Sequence, residues 1–325
     1  MKNHKNFWSN LPSPFFVLAP MANVTDAAFR SIIAKYGKPD VMITEFVSCH
    51  GLCSKGRENI LPDLWYSEIE RPIVAQIFGS EPEHFYKCAQ FLAEKGFDGI
   101  DINMGCPDKN VEKQGAGAAL IKDPKRAQEI IRATKRGAPH LPVSVKTRLG
   151  YSKITIDEWF GYLLEMGLSA ITVHGRTRKE MSKVPAHWDA IAQVVEMAKK
   201  YDSSIKRPRI IGNGDVSSLV DARDKAKEYG VDGVMIGRGI FGNPWLFDPQ
   251  KKIPEIPLEE RLRVMMEHTK LFEEKFTNIK PFDLMKKHYK AYVSGFEGAK
   301  ELRVELMKAK NSEHLERILK ERHCV

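Results

Sequence analysis

The stretch DGIDINMGCPDKN, residues 98–110, is a short β-branched apolar run that passes into a turn broken by glycine and proline. The run predicts a buried strand, because it is apolar and only a few residues long. The turn holds a cysteine, Cys106, at a point where small polar residues are usual. Strand, turn and a following helical segment form a unit that recurs along the chain.

Eight such runs occur before residue 240. They are 15–20, 41–46, 73–79, 98–103, 142–148, 170–175, 208–214 and 232–237. Between them lie segments with apolar residues at helical spacing, such as EHFYKCAQFLAEKG and DPKRAQEIIRATKRG. Alternating strands and helices predict a parallel sheet, and eight units in about 240 residues match a (β/α)8 TIM barrel. A doubly wound open sheet is the alternative; eight strands and the lack of GxGxxG after the first disfavour it.

The pattern changes after the proline-rich segment 249–257. Three stretches of helical periodicity follow, at 258–276, 281–296 and 298–323. We therefore expect an α/β chain with two domains, a catalytic barrel over residues 1–250 and a small C-terminal helical domain over 255–325.

Composition indicates a globular protein, with 42% hydrophobic and 29% charged residues. No apolar stretch approaches the roughly 18 residues of a membrane span, and the polar, proline-broken N-terminus does not resemble a secretion signal. Five cysteines, an odd number without framework spacing, predict free thiols and a cytoplasmic location. The formal net charge of +9 permits a polyanionic partner.

Polar residues cluster where the predicted strands end, which is where barrels of this type bind their ligands. We therefore expect the polar and loop residues at the strand ends to lie together on one rim. They are Pro20, Met21, Ala22, Gln76, Asn103, Cys106, Lys146, Arg148, His174, Arg176, Arg178, Asn213, Asp215 and Arg238. The last two loops, IGNGDV and IGRGIFGNPW, put small residues where the backbone must approach a ligand closely. Such loops commonly bind phosphate, so they predict a phosphate-bearing cofactor.

Several of these segments together resemble one known family. LAPMANVTDAAFR, NMGCP, GAGAAL, VKTRLG, VHGRTR, GNGD and DGVMIGRGIFGNPW are similar to segments of the tRNA-dihydrouridine synthase (Dus) family, in its bacterial, DusB-like form. The resemblance runs from about residue 12 to residue 310. It implies an FMN-dependent TIM barrel with a C-terminal helical domain that binds tRNA. The implied reaction is reduction of the C5–C6 bond of D-loop uridines, with NADPH as the electron donor.

The resemblance also implies roles for single residues. The flavin ring would contact Pro20, Met21, Ala22, Gln76, Lys146 and His174, and its phosphate and ribityl end would contact Asn213, Gly214, Asp215, Gly237, Arg238 and Gly239. Asn103 and Arg148 would bind the uridine, and Arg178 the uridine or the adjoining RNA. We expect no metal, no membrane and no obligate protein partner, and thus a monomer.

Cys106 is the expected catalytic residue. Hydride transfer from flavin N5 to uracil C6 leaves charge at C5 that must be neutralised by a proton. A thiol with a pKa near 8.5 is mostly protonated at neutral pH and still acidic enough to donate. A stacked uracil cannot reach a barrel mouth, so the base must be flipped out of the RNA.

Other interpretations remain open. The same chemistry on ribosomal RNA, a flavoenzyme acting on a small pyrimidine, and an RNA-binding protein without catalysis are the alternatives. The loop KEMSKVPAHWDAI (179–191) departs from the short glycine-containing stretch of the family, and Lys153 is a candidate RNA contact. Cys49, His50 and Cys53 lack the spacing of common zinc sites, so we interpret them as incidental loop residues.

Overall fold

The computed structural model describes residues 6–201 and 206–322. Its eight strands are β1 Phe15–Leu18, β2 Met42–Ser48, β3 Ile73–Phe78, β4 Gly99–Met104, β5 Val143–Arg148, β6 Ala170–His174, β7 Arg209–Asn213 and β8 Gly233–Ile236. Neighbouring strands run parallel in the order β1-β8-β7-β6-β5-β4-β3-β2. The open edges meet where Val17 bridges Val41, with Leu18 N donating to Val41 O at 3.1 Å. The sheet is therefore a closed (β/α)8 barrel, as predicted.

The helices lie outside the strands and at the C-terminus. They are α1 Ala27–Tyr36, α2 Cys49–Leu52, α3 Pro82–Glu94, α4 Lys109–Lys113, α5 Pro124–Gly137, α6 Ile156–Leu164, α7 Trp188–Lys200, α8 Leu219–Tyr229, α9 Leu258–Phe276, α10 Lys286–Tyr292, α11 Ala299–Leu306 and α12 Ser312–Glu321. After β2 the usual long helix is replaced by α2 and three short 3₁₀ turns, and β8 is followed by 3₁₀ turns before α9.

Capping residues fix where the barrel helices begin and end. The Asp26 side chain accepts from Phe29 N at the start of α1, and Asp123 accepts from Arg126 N ahead of Pro124, the first residue of α5. Helix α8 ends at Gly230, which has a left-handed φ of 67°. These capping signals act within a few residues of the chain, so the ends of these helices can be predicted from the sequence.

The barrel interior is apolar at one end and polar at the other. At the N-terminal end of the strands, Trp8 from the short helix Phe7–Asn10 packs with Phe15, Val17 and other inward-facing apolar residues. Gly233 faces the Phe15 ring so closely that a Cβ there would lie 2.6 Å from Cε2. Toward the strands' C-terminal ends the interior contains buried polar side chains instead, and these form the base of the site.

The C-terminal helices form an apolar cluster of their own that includes Ala28 and Ile32 of α1 and Trp245. The stretch 298–323, predicted as one helix, is two helices, because the Asn311 side chain accepts from His314 N and starts α12 anew. Lys280, before α10, pairs with Glu45 of the barrel at 2.9 Å. Across the described ranges, no helix combines the length and apolar character that a membrane span requires.

Candidate active site

Strand register places the polar residues of neighbouring strands side by side at the carboxyl ends. Asn103 of β4 is in register with Lys146 of β5. Two residues further on, Arg148 of β5 is in register with His174 of β6, and His174 with Asn213 of β7. Because parallel strands end at the same rim, these five residues lie at one end of the barrel although more than a hundred residues separate the first from the last.

A cavity of about 640 Å³ opens at this rim, within the range of small-molecule sites. Its lining comes from the loops after β1, β6, β7 and β8 and from β5. The predicted residues among the lining are Pro20, Met21, Lys146, His174, Asn213, Gly214, Asp215, Gly237, Arg238 and Gly239. Ala19, Arg176, Ser182, Val216, Ser217 and Met235 complete it.

One side of the cavity is built from the glycine-containing loops after β7 and β8. Gly214 has a φ of 126°, and a Cβ on it would lie 2.8 Å from the Ala186 Cβ, so only glycine fits there. Asp215 follows with a left-handed φ of 48°. Its carboxylate pairs with Arg176, accepts from Arg238 at 3.1 Å and from Ala186 N at 2.9 Å. Asp215 thus orients two arginines, and its own charge would repel a phosphate.

The other side of the cavity has two half-buried bases, Lys146 and His174, of which the first is mostly charged at neutral pH and the second is neutral. Burial, assisted by the nearby Arg148, lowers the pKa of Lys146 to about 8, and its Nζ lies 3.3 Å from Asn213 Oδ1. Burial and the surrounding cations lower the pKa of His174, which is therefore neutral. The Arg176 guanidinium can only donate to His174 Nε2, at 3.1 Å, so the ring proton is on Nδ1.

Beneath the rim, a buried chain of hydrogen bonds connects Asp101 to Cys106. Gln76 Nε2 donates to Asp101 Oδ2 at 2.7 Å, and Asn103 Nδ2 donates to Gln76 Oε1 at 3.0 Å. Asn103 Oδ1 then accepts from the backbone N–H groups of Gly105 and Cys106 at 3.1 and 2.9 Å. The carboxylate accepts only, so it fixes the orientation of both amides and the start of the Cys106 loop.

The Cys106 loop is held from the opposite side by the segment GAGAAL. Ala118 N donates to Cys106 O at 3.0 Å. Gly117 has a φ of 60°, and a Cβ there would lie 2.8 Å from both Cys106 O and Val111 Cγ1. Cys106 is half-buried, and burial raises the pKa of its thiol, although Arg148 and Lys146 lower it. At neutral pH this sulfur is therefore protonated.

Arg148 and Arg178 tie the loops around the thiol together. Arg148 Nε donates to Gly105 O at 2.7 Å, and Nη1 donates to the carbonyls of Thr177 and Met181 at 3.1 Å each. Burial lowers the pKa of Arg148 to about 10. Arg178 pairs with Glu112 after β4 and lies over the Tyr151 ring. Arg148 thus makes its described hydrogen bonds to the protein's own backbone.

The cavity lining includes ten of the predicted residues, but six do not line it, namely Ala22, Gln76, Asn103, Cys106, Arg148 and Arg178. Asn103, Arg148 and Arg178 make the hydrogen bonds and the ion pair described above. Ala22 is exposed in the loop after β1. Gln76 is fully buried, and its amide is hydrogen-bonded to Asp101 and Asn103. Cys106 lies in the adjacent loop after β4, where Arg148 and Lys146 lower the pKa of its thiol. Sequence reasoning missed Asp101. An acidic residue inside the apolar run DGIDIN was the available signal, since a carboxylate is rarely buried without a specific partner.

Cys88 of α3 contacts both Cys49 and Cys53, through the Cys49 carbonyl oxygen and the Cys53 sulfur. The sequence spacing of Cys49 and Cys53 gave no sign of this third cysteine. Within the described part of the chain, no group of three or more His, Cys, Asp or Glu residues is arranged to hold a metal ion. Cys49, Cys53, Cys88 and Cys106 are free thiols, and the fifth cysteine, Cys324, lies outside the described residues.

Comparisons with known proteins place this geometry in context. The family model "Dihydrouridine synthase (Dus)" matches residues 17–324. A probable tRNA-dihydrouridine synthase of Staphylococcus aureus (strain MRSA252) is 44% identical over 308 residues, covering 93% of this chain and 91% of the relative. Probable tRNA-dihydrouridine synthase 2 of Bacillus subtilis (strain 168) is 42% identical over 318 residues, covering 97% and 96%.

Among solved structures, 6-hydroxypseudooxynicotine amine oxidase from Pseudomonas geniculata N1 is similar with a TM-score of 0.52 at 12% identity. The match covers 71% of this chain and 46% of that one, so this chain corresponds to about half of the solved chain, and the likeness shows the barrel fold alone. The family match and the two relatives cover almost the whole sequence, barrel and C-terminal helices alike. The chain belongs to the dihydrouridine synthase family.

Proposed function

We propose that the chain is an FMN-dependent tRNA-dihydrouridine synthase that reduces the C5–C6 bond of a uridine in tRNA. It is a flavin-dependent oxidoreductase of the barrel type. The observation that carries the proposal is the Cys106 thiol, whose raised pKa keeps it protonated, in a loop that is fixed from two sides and adjoins the polar cavity, where Arg148 and Lys146 act on its pKa. The family and the relatives' names support the substrate.

The lining of the cavity supports flavin mononucleotide as the cofactor. Its Gly214 side and the exposed Arg238, whose side chain is 69% exposed, suit a phosphate, because the backbone can approach closely and a guanidinium can pair with it. Its other side, with Pro20, Met21, Lys146 and His174, suits a ring system that accepts hydrogen bonds. When bound, the flavin supplies the hydride for uracil C6. NADPH is the proposed source of its electrons.

The chain's own residues supply the proton and the orientation. Cys106 donates its proton to C5, and the resulting thiolate is stabilised by Lys146 and Arg148, both of which lower the pKa of this thiol. The half-buried sulfur then regains a proton from solvent. Lys146, mostly charged at neutral pH, and the Nδ1–H of His174 are donors that would orient the cofactor ring.

The uridine contacts proposed for Asn103, Arg148 and Arg178 require these groups to exchange partners. Asn103 and Arg148 now bind protein groups, and Arg178 pairs with Glu112. Arg178 is the best placed of the three, because its side chain is 22% exposed. An incoming phosphate or base could therefore replace Glu112 without opening the core.

The C-terminal helices are proposed to bind the tRNA body. Tyr289 and Tyr292 are fully buried in the helical core, so they offer no aromatic surface to RNA. Lys290 and Lys300 are exposed and are candidates for phosphate contacts, as is the exposed Lys153 in the segment after β5. A monomeric state, a cytoplasmic location and the domain limits 1–250 and 255–325 stay predictions.

The test uses purified, flavin-loaded protein, NADPH and tRNA that lacks dihydrouridine. We expect the wild type to form dihydrouridine, and Cys106→Ala to keep its flavin and oxidise NADPH but to lose product by about 10²- to 10⁴-fold. Cys53→Ala is the matched control and should retain activity. Product from wild type on free uracil or ribosomal RNA, but not on tRNA, would contradict the substrate. Full activity of Cys106→Ala at neutral pH would contradict the proton donor.

A further inference from the structure

A second cluster of thiols lies outside the proposed active site. Cys49 begins α2, Cys53 caps the end of that helix, and Cys88 lies in the middle of α3. Two of the three are close in sequence, but the third comes from the other side of β3. The packing of α2 against α3 brings them together.

Contacts among the three sulfur groups are direct. Cys53 Sγ lies 3.9 Å from Cys88 Sγ, which is van der Waals contact for two sulfurs. Cys88 Sγ also lies 3.6 Å from the carbonyl oxygen of Cys49. The bonded distance of a disulfide is about 2.05 Å, so rotation of the two side chains can join Cys53 and Cys88 if the backbone shifts little.

The sulfurs of Cys53 and Cys88 differ in their access to solvent. Cys88 is 1% exposed and Cys49 is fully buried, whereas Cys53 is half-buried at the end of α2. A small oxidant can therefore reach Cys53 first. The buried partner would follow as the attacking group.

The surroundings favour negative charge on Cys88. Hydrogen bonds from Cys49 and Cys53, together with the nearby Arg57, lower the pKa of Cys88 despite its burial. Burial raises the pKa of Cys53 to about 11, and that of Cys49 is raised as well. The proton shared by Cys53 and Cys88 can move between the sulfurs, because they are in hydrogen-bond contact.

We propose that Cys53 and Cys88 are a redox-active pair that forms a reversible disulfide when a hydroperoxide oxidises the protein. After its proton has passed to Cys88, the Cys53 sulfur attacks a peroxide oxygen and the O–O bond breaks. Cys53 becomes a sulfenic acid, and the departing oxygen takes up a proton from solvent and leaves as water or alcohol. The Cys88 sulfur then attacks Cys53, the S–S bond forms, and hydroxide leaves with the Cys88 proton as water. Two thiols are oxidised and one peroxide is reduced.

Cys49 has a different role in this scheme. Its carbonyl oxygen accepts from the Cys88 thiol at 3.6 Å and so orients the attacking group, whereas its own thiol is fully buried and does not react. Cys106 is the natural internal control, because it is also a half-buried cysteine but its pKa is raised and it has no thiol neighbour among the described hydrogen bonds.

The experiment treats the flavin-loaded, reduced protein with stoichiometric hydrogen peroxide and maps peptides without reductant. We expect one cross-linked species that joins the Cys53 and Cys88 peptides, an intact mass lower by two hydrogens, and full reversal by dithiothreitol. A cross-link that involves Cys106, cross-links between chains only, or no loss of the Cys53 and Cys88 thiols would overturn the proposal.

Single variants test the order of events. In Cys88→Ala, Cys53 should stop at the sulfenic acid, which dimedone labels, whereas in Cys53→Ser the Cys88 thiol should stay reduced under the same treatment. Dimedone labelling of Cys88 in Cys53→Ser would reverse the assignment and overturn it. Since Cys88 is buried, a thermal melt checks that its variant folds; the wild-type cross-link remains decisive if it does not. The outcome is independent of uridine reduction, so this inference and the proposed function can fail separately.

Discussion

Asp101→Asn tests the energetic consequence of placing a carboxylate beneath the site. Asp101 is 1% exposed and accepts from Ser144 Oγ at 2.6 Å and from Gln76 Nε2 at 2.7 Å. An asparagine can keep both contacts. Its Oδ1 accepts from Gln76, and its Nδ2 donates to Ser144, because a hydroxyl can reverse its role. The substitution therefore removes a buried charge and leaves the hydrogen-bond chain to Cys106 in place.

The magnitude follows from the carboxyl's titration. Burial raises the pKa of Asp101 from 3.8 to about 6, even though Lys146, Ser144 and Gln76 lower it. A raised acid pKa means that the folded state binds the proton more tightly, so stability present below about pH 4 is lost as the pH rises through 6. Two pKa units correspond to about 3 kcal/mol. Relative to wild type, Asp101→Asn should therefore gain up to about 3 kcal/mol in unfolding free energy between pH 4 and pH 7.

The assay is urea unfolding of wild type and variant from pH 5 to pH 7.5, where roughly 1.5 kcal/mol of this difference should develop. Ser144→Ala, which loses a hydrogen bond but no charge, is the control for a general change at this position. Because Asp101 raises the pKa of Lys146, the variant should also bring that pKa below about 8. If the free energy of unfolding changed with pH in the same way for wild type and Asp101→Asn, the idea that the ionised Asp101 carboxylate destabilises the fold would be refuted.

Two further substitutions separate steric and electrostatic effects elsewhere. Gly117→Ala should lower kcat for tRNA reduction by about 10- to 100-fold, because its Cβ would displace the Cys106 carbonyl. Gly115→Ala is the control and should lower kcat much less, since Gly115 has a similar φ of 72° but its Cβ would have no contact closer than 3.4 Å. Equal losses would show that backbone strain alone matters. Glu70→Gln should lower the free energy of unfolding in urea by about 3 kcal/mol, because it breaks a buried ion pair with Arg30 at 2.7 Å. Glu68→Gln is its control: the Glu68 side chain is 78% exposed, so the free energy of unfolding should change by less than about 0.5 kcal/mol. A loss for Glu70→Gln as small as that for Glu68→Gln would contradict the first estimate.

Local signals were sufficient for the barrel and for much of its rim. All eight strands lie within two residues of their predicted limits, since β-branched apolar runs and capping residues act within a few positions of the chain. The rule that ligand groups follow the strand ends then located Lys146, His174, Asn213 and Gly214 around one cavity. The C-terminal region was predicted as helical, but its break at Asn311 depends on a single capping contact.

What the side chains bind was decided by tertiary structure. Register between β3, β4 and β5 sets Gln76, Asp101 and Ser144 side by side, and no local pattern encodes that pairing. The inward hydrogen bonds of Arg148 and the approach of Cys88 to Cys53 likewise join segments that are distant in the chain. A residue type specifies what a group can donate or accept, whereas the tertiary packing of strands and helices determines which partner lies in contact with it.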